Sequence, residues 1–267
     1  MTWGRRLYRI RNSLYVREPA RLLRDVRSVA AGEEHYLAMT RDGRVVAWGD
    51  NSVRQCNVPS DLPPVEAVAA GHHHSLAVTT DGRVVAWGHN NYGQINVPPD
   101  LPPVVAVAAN CTCSFALTAD GDVVAWCSIC SLKVPSGLKA VAVSASSSHA
   151  LAVTPEGRVV AWGSNNCGQC NVPRDLSPVV AAAAGMGYSV ALTVTGDVVA
   201  WGMPWFAYDV LSGLKAVAVA VYGVPLLTVT PEGRVVVWSY DAGDPQCAVP
   251  PGLTVRVAPS GTPAANT

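Results

Sequence analysis

The cysteines of this chain are the residues whose spacing most directly suggests chemistry. Three close pairs occur, at Cys111 and Cys113, Cys127 and Cys130, and Cys167 and Cys170. A two-residue spacing can present paired thiolates to zinc, so one hypothesis is a zinc site made by Cys111, Cys113, Cys127 and Cys130. The third pair lies in a predicted loop and lacks the helix start typical of a redox site. Because Cys113 stands at a histidine position of the internal repeat described below, we predict instead a structural role, with no metal and no cofactor.

The run His72-His73-His74 is a second candidate metal site. Neighbouring side chains of a β-strand point to opposite faces, which prevents all three imidazoles from converging on one ion. His74 also shares its position in the internal repeat with His35 and His149. We therefore interpret the repeated histidine as a buried residue that forms a structural hydrogen bond.

Catalytic signatures are absent from the sequence. It contains no phosphate loop, no His-Glu-x-x-His and no dinucleotide fingerprint, and no acid is placed to orient a repeat histidine beside a serine. The carboxylates occur chiefly in predicted turns, where their role is conformational: Asp42, Asp81, Asp120, Glu156 and Glu232. We predict that the protein is not an enzyme.

The loop after Trp201 departs most sharply from the rest of the sequence. It carries Trp205, Phe206 and Tyr208 in a chain of which only 7% is aromatic. An exposed aromatic cluster marks a binding surface. The other interpretation is that the loop folds inward and fills a gap left by missing polar residues. We predict a partner-binding role for these three residues.

Composition indicates a folded, turn-rich protein. Hydrophobic residues make up 49% of the 267 residues and charged residues 14%, which excludes general disorder. Glycine and proline interrupt every long apolar run, so no stretch is long enough to cross a membrane. The 23 glycines and 20 prolines suit short strands and turns. No secretory signal is visible, and we expect a cytoplasmic protein, or an extracellular one if the true N-terminus lies upstream.

Charge is distributed unevenly along the chain. Residues 1–27 contain eight arginines against Glu18 and Asp25, a net charge of +6, whereas the remainder contains eleven basic and seventeen acidic residues, a net charge of −6. The basic arm either docks on the acidic body or binds an anionic partner such as nucleic acid or a lipid surface. In the second case the anion-binding residues are Arg5, Arg6, Arg9 and Arg11.

An internal repeat dominates the sequence. Tryptophans recur 39, 39, 36, 39 and 37 residues apart, at Trp48, Trp87, Trp126, Trp162, Trp201 and Trp238. Each follows a turn glycine by five residues: Gly43, Gly82, Gly121, Gly157, Gly196 and Gly233. Thirteen residues before the tryptophans stand His35, His74, Cys113, His149, Tyr188 and Pro225. Six matching copies indicate one repeated structural unit.

Each copy predicts four short strands. In the second copy they are Val65–Ala69, His74–Thr79, Val84–Trp87 and a fourth around Asn96–Pro98, with a tight hairpin at Asp81-Gly82. A unit of this size cannot cover its own apolar faces, so it must pack against neighbouring copies. Radial packing into a β-propeller satisfies this requirement.

The two ends of the chain bear on the number of blades. Leu253–Val257 repeats the first strand, Trp3-Gly4 repeats the end of the third, and Val16–Pro19 loosely repeats the fourth. We predict six full four-stranded blades and a composite seventh closed by the two termini. Open alternatives are a closed six-blade ring with a loose arm and a truncated open array. The predicted organisation is a basic segment (1–25) contributing to the partial blade, a propeller (26–258) and a disordered tail (259–267).

The pattern A-G-x-x-H-S-L-A-V-x-x-D-G-x-V-V-A-W-G-x-N-x-x-G-Q-x-N-V-P resembles the regulator of chromosome condensation repeat. It is most similar to the short bacterial version found in the propeller-type β-lactamase inhibitory protein. Copies one, two and four follow the pattern well, whereas three, five and six have drifted. The resemblance implies a seven-bladed, non-catalytic propeller that binds another protein across one face.

The resemblance also implies a contact loop just before the repeat histidine, where the inhibitory protein carries aromatic residues. The matching positions here are Glu34, His73, Thr112, Ser148, Gly187 and Val224. None is Trp, Tyr or Phe, which argues against lactamase inhibition because such aromatic anchors dominate interface energetics. Nothing in the sequence supports the guanine nucleotide exchange activity of the eukaryotic members. We predict partner-binding roles for Glu34, His73, Thr112 and Ser148.

The leading hypothesis is therefore a monomeric protein-interaction scaffold that binds an unidentified protein through one face and the Trp205 loop. Three other hypotheses stay open: an anion-directed binder, a β-lactamase-inhibitor-like protein and a decayed repeat fragment. The first of these is tested by salt, because polyanion binding weakens steeply as salt concentration rises.

Overall fold

The computed structural model describes residues 25–127, 132–203, 213–221, 223 and 226–238. These residues form eighteen strands and no helix, in agreement with the all-β prediction. The strands are β1 (Val26–Ala31), β2 (His35–Thr40), β3 (Val45–Gly49), β4 (Val65–Ala70), β5 (His74–Thr79), β6 (Val84–Gly88), β7 (Val104–Ala109), β8 (Ser114–Thr118), β9 (Val123–Trp126), β10 (Ala142–Ala145), β11 (His149–Val153), β12 (Val159–Gly163), β13 (Val179–Ala184), β14 (Tyr188–Thr193), β15 (Val198–Gly202), β16 (Ala218–Val221), β17 (Leu226–Val229) and β18 (Val235–Trp238). In the part of the chain so described, no helix has the length and hydrophobicity needed to span a bilayer.

Consecutive strands form six antiparallel three-stranded sheets, one for each copy of the repeat. We number these blades one to six in chain order. Blades that follow one another in sequence pack together, β4 against β7 and β7 against β10. Every residue of the central strand β5 is buried. Its two faces therefore both lie inside the protein, and small residues such as Ala77 allow neighbouring sheets to approach closely.

The hairpin between the second and third strands forms as predicted. Gly82 has a φ of +80°, and its N–H donates to the carbonyl of Thr79 at 2.8 Å. The Asp81 carboxylate accepts hydrogen bonds from the Thr79 hydroxyl and from Arg83 Nε, the latter at 2.7 Å. These bonds, led by that from Thr79, lower the pKa of Asp81. The turn carboxylate thus fixes the local backbone, as the sequence indicated.

The predicted fourth strand is wrong. The segment after β6 folds into short-range turns, in which Asn96 N–H donates to the Gly93 carbonyl at 3.0 Å and Val97 N–H to that of Ile95 at 3.0 Å. The Asn90 side chain donates to Asn96 Oδ1 at 2.9 Å and closes the loop. Because these local bonds use the backbone donors that a fourth strand needs, and the following prolines have none, no ladder forms.

Blade three contains a disulfide between Cys113 and Cys127, whose Cα atoms are 4.9 Å apart. In blade one the equivalent positions are His35 and Gly49, which lie directly opposite each other in the sheet. The disulfide therefore joins two positions that face each other across neighbouring strands, where cysteine replaces the histidine and the glycine of the repeat. A sulfur in a disulfide is not a thiolate ligand, so this pairing contradicts the zinc hypothesis, and Cys130 lies outside the described residues.

Reduction of this disulfide is expected to destabilise the protein. The bridge closes a loop of about 15 residues, for which the loss of chain entropy in the unfolded state corresponds to about 3 kcal/mol. Urea denaturation of the wild type with and without dithiothreitol measures the difference. The double variant Cys113→Ala/Cys127→Ala should be insensitive to dithiothreitol, and an equal response from it would exclude this bridge as the cause.

Candidate functional site

A hydrogen-bond relay joins three pairs of adjacent blades, one and two, two and three, and four and five. His35 Nε2 lies 3.0 Å from the Ser75 hydroxyl, which donates to the Gln55 carbonyl at 2.8 Å. Trp87 Nε1 donates to the same carbonyl at 2.9 Å. Because the single proton of Ser75 is used by the carbonyl, the histidine must carry its proton on Nε2 and donate. Two further relays repeat this arrangement, His74–Ser114–Gln94–Trp126 and His149–Ser189–Gln169–Trp201.

The three relay histidines are fully buried. Burial lowers the pKa of His35 to about 4, that of His74 to about 3 and that of His149 to about 4. These imidazoles are therefore neutral at pH 7 and hold adjacent blades together, which is a structural role.

Changes at the two ends of the relay occur together. Cys113 replaces the histidine in blade three, and Ala150 stands in blade four where the serine is expected. Trp162 Nε1 has no hydrogen-bond partner within the described part of the chain. Leu132 packs against Gly163 where the glutamine segment packs in other blades. The interface between blades three and four therefore lacks the histidine and serine of the relay but keeps its buried tryptophan, Trp162.

The loops that join the first and second strands of the blades lie at one end of the sheets, and we call this end the loop face. Four sequence-predicted binding residues lie there, Glu34, His73, Thr112 and Ser148, and all four are half-buried. The carbonyl of Glu34 accepts from Asp50 N–H at 2.7 Å and that of His73 from His89 N–H at 2.9 Å. The backbone at these two positions is thus fixed by the residue that directly follows the third strand of the blade.

An aromatic row extends from one of these predicted residues. The His73 ring meets the edge of His89 with centroids 6.3 Å apart, and His89 in turn contacts Tyr92 at 5.9 Å. His89 Nδ1 is also 2.9 Å from Gln94 Nε2. Tyr92 is partly exposed, which makes this row an accessible part of the loop face.

The sequence analysis named His72 and Cys111 only as candidate metal ligands and missed that they belong to a second ring of residues, one position earlier in the loops of blades one to five. Its members are Glu33, His72, Cys111, Ser147 and Met186. Glu33, Ser147 and Met186 are exposed, Met186 to 59%. All five stand two residues before the repeat histidine position. This shared position in the repeat could have predicted the ring from the sequence, because equivalent positions in the blades of a propeller surround its axis.

Within this ring, His72 contacts residues of three other blades. Its Nδ1 lies 2.8 Å from Glu33 Oε2, and its Nε2 lies 3.1 Å from Cys111 Sγ and 3.3 Å from the Ser147 hydroxyl. Burial lowers the pKa of His72, and the nearby Glu33 opposes that change. Burial also raises the pKa of the Cys111 thiol. The arrangement is a partly buried thiol, imidazole and carboxylate in hydrogen-bond contact.

Among the described residues, no three His, Cys, Asp or Glu side chains are placed to hold a metal ion. Within the His72-His73-His74 run, His74 belongs to the buried relay, whereas His72 points to Glu33 and Cys111. The predicted binding residues Trp205, Phe206 and Tyr208, together with Val224, lie outside the described residues.

Six three-stranded sheets that pack in chain order and repeat one inter-blade relay define a propeller-type repeat protein. The profile of the regulator of chromosome condensation (RCC1) repeat matches residues 26–55, 65–94 and 140–169, which lie in blades one, two and four. Three blades of the chain are therefore RCC1 repeats, and the resemblance to this repeat drawn from the sequence is confirmed.

Two relatives match over about one repeat. The guanine nucleotide exchange factor SRM1 of Saccharomyces cerevisiae is 45% identical over 40 residues, which is 15% of this chain and 8% of SRM1. The protein RCC1 of Candida albicans is 44% identical over 39 residues, again 15% of this chain and 8% of the relative. The matched segment thus spans under a tenth of each relative.

Two solved structures share the fold over most of the described chain. Yeast RCC1 (Prp20), in a structure bound to Kap60, gives a TM-score of 0.69 with 21% identity, covering 80% of this chain and 69% of that one. Human WBSCR16 gives a TM-score of 0.66 with 20% identity, covering 80% of this chain and 77% of that one. At these identities the likeness concerns the fold alone.

Proposed function

We propose that this protein is a non-catalytic interaction scaffold that binds a protein partner through the loop face. The observation that carries the proposal is the contrast between two sets of positions. The relay residues recur at three interfaces and are buried, whereas the ring residues are exposed or half-buried and differ from blade to blade, from Glu33 to Met186. Varied side chains on a rigid repeated scaffold are typical of a recognition surface.

The chemistry of the loop face also supports recognition of a protein. It combines an exposed methionine, Met186, with the aromatic row that ends at Tyr92 and with acidic groups such as Glu33. Methionine and tyrosine are enriched in protein interfaces. The solved complex of yeast RCC1 with Kap60 is a case in which a protein of this fold has a protein partner.

The test is co-purification from lysate of the source organism at moderate salt, with bound proteins identified by mass spectrometry. The double variant His73→Ala/Met186→Ala changes two separate points of the loop face. Arg83→Ala is the matched control, since this exposed residue lies in a hairpin turn at the opposite end of the sheets. We expect one protein to be retained by the wild type and by the control, with at least a tenfold loss from the double variant.

Two outcomes contradict the proposal. Equal retention by the double variant places binding elsewhere, with the predicted Trp205, Phe206 and Tyr208 loop as the next surface to change. Retention of nucleic acid that salt removes favours the arginine arm of residues 1–25 instead.

We also propose that the chain ends supply a closing blade beside blade one. Trp48 is 43% exposed and stacks on Tyr36, with ring centroids 5.6 Å apart. The equivalent tryptophans Trp87 and Trp126 are only 6% and 7% exposed, because each packs on the preceding blade. Blade one therefore has a side suited to one more neighbour.

Trp48→Ala tests this closing blade. If a blade covers Trp48, the substitution should reduce the free energy of unfolding by about 3 kcal/mol or more, as for a buried tryptophan. Urea denaturation measures the cost. A value below about 1 kcal/mol, typical of a surface position, would contradict the closing blade.

A further inference from the structure

The geometry around His72 points to a nucleophilic thiol at Cys111. We propose that Cys111 is a covalent modification site for Michael acceptors, that His72 is the base that takes its proton, and that Glu33 positions His72. Cys111 lies in blade three, His72 in blade two and Glu33 in blade one. Cys111 Sγ is 3.1 Å from His72 Nε2, and His72 Nδ1 is 2.8 Å from Glu33 Oε2. A nucleophile, a base and a group that orients the base are the elements of activated-thiol sites.

The hydrogen-bond directions define the tautomer of His72. The Glu33 carboxylate can only accept, so His72 carries its proton on Nδ1, and the lone pair on Nε2 faces the Cys111 thiol at 3.1 Å and the Ser147 hydroxyl at 3.3 Å. This is the opposite tautomer from the relay histidines, which carry the proton on Nε2. His72 is therefore the described histidine whose Nε2 lone pair faces a thiol.

The charge states suit general-base activation. Burial lowers the pKa of His72, so the imidazole is neutral, and burial raises the pKa of Cys111, so the thiol keeps its proton at rest. The proton is then removed as the sulfur attacks, and the charge that develops on His72 is stabilised by Glu33. His72 is partly exposed, with a third of its side-chain surface accessible, so a small molecule can approach.

Two other thiols are in contrasting surroundings. Cys56 S–H donates to the Asp50 carbonyl at 3.1 Å, and Cys170 S–H donates to the Ser164 carbonyl at 3.3 Å. A carbonyl oxygen holds the thiol proton and cannot serve as a base that releases the sulfur nucleophile. Burial raises the pKa of Cys56 to about 11 and also raises that of Cys170. Both are internal references for an unactivated thiol.

The reaction balances without an oxidant or a leaving group. The Cys111 proton moves to His72 Nε2 as sulfur bonds to the β-carbon of the acceptor. The electron pair of the carbon–carbon double bond moves towards the carbonyl, and the α-carbon then takes the proton back from His72. The product is a thioether, and His72 returns to its neutral form.

The experiment treats the full-length native protein with limiting N-ethylmaleimide and follows each cysteine-containing peptide by mass spectrometry. At pH 7.5 we expect Cys111 to react at least tenfold faster than Cys56 or Cys170. His72→Asn should slow Cys111 at least tenfold, and Glu33→Gln should slow it about three- to tenfold. Glu66→Gln is the matched control for Glu33→Gln, since this exposed residue of β4 lies outside the contacts of Glu33, His72 and Cys111, and it should leave the rate within twofold.

A pH profile separates a base from a merely structural residue. In the wild type, the Cys111 rate should level off above the pKa of His72, whereas in His72→Asn it should rise about tenfold per pH unit up to the thiol pKa. The Cys56 rate in the same sample reports unfolding, because a disrupted fold accelerates both sites. Equal rates at Cys111 and Cys56 in the wild type, or an unchanged Cys111 profile in a folded His72→Asn variant, would overturn the proposal.

Discussion

Acidification from pH 6.5 towards pH 4.5 is expected to remove several kcal/mol of folding free energy. The relay histidines have lowered pKa values in the folded protein, about 4 for His35 and His149 and about 3 for His74. In the unfolded chain their pKa is near 6.5, so the unfolded state takes up protons that the folded state excludes. Stability is fully present above pH 6.5 and is lost as pH falls towards 4.

The size of the effect follows from proton linkage. Each histidine contributes up to about 1.4 kcal/mol per pH unit, so three together give a slope of about 4 kcal/mol per pH unit near pH 5. Urea denaturation at half-unit intervals between pH 7.5 and 4.5 measures the slope. The range stops above pH 4 because Asp42, Asp81 and Asp197, whose pKa values are lowered, still keep their charge there.

His35→Gln is the informative variant for this titration. The glutamine amide can donate to the Ser75 hydroxyl as the imidazole does, but it does not titrate. We expect the slope near pH 5 to fall by about one third. A slope that stays the same in this variant would show that other groups control acid sensitivity.

Trp87→Ala is expected to reduce the free energy of unfolding by about 3–5 kcal/mol, the cost of removing a large buried aromatic side chain. Trp87 is 6% exposed and packs in a cluster with Leu37, Met39 and Val65, which come from blades one and two. Its indole N–H also donates to the Gln55 carbonyl at 2.9 Å. The substitution thus removes packing and a relay hydrogen bond at the same blade interface.

Two phenylalanine variants separate packing from hydrogen bonding. Trp87→Phe and Trp162→Phe remove similar volume at equivalent buried positions, but only Trp87 donates its indole proton to a described carbonyl. We expect Trp87→Phe to cost about 1 kcal/mol more, measured by urea denaturation. Equal costs would show that the relay hydrogen bond contributes little beyond packing.

The sequence was least informative where a contact joins residues from different blades. His35 and Ser75 are in contact although they are 40 residues apart in the sequence. The presence of Ala150 at the serine position is explained only once Cys113, at the histidine position, is known to lie in the adjacent blade. The disulfide between Cys113 and Cys127 lies within blade three, and it depends on which residues face each other at the open end of the β8–β9 hairpin. Pairing of this kind requires the register between strands, which spacing alone does not provide.

The fourth strand shows a different limit. The asparagine, glycine and proline residues around Asn96 are compatible with both a short edge strand and a chain of turns. The tertiary structure decides in favour of turns, since the Gln94 carbonyl is needed by Ser114 and Trp126 of the next blade.

The repeat length, the hairpin glycines and the all-β propeller class follow from the amino-acid sequence alone. These features depend on local sterics and on hydrophobic residues that recur at fixed intervals. The contacts between side chains of different blades, such as those of Glu33, His72 and Cys111 at the loop face, become visible only in the folded protein. Their contact depends on how one blade is rotated relative to the next, and that rotation is set by packing between sheets rather than by any short segment of the chain.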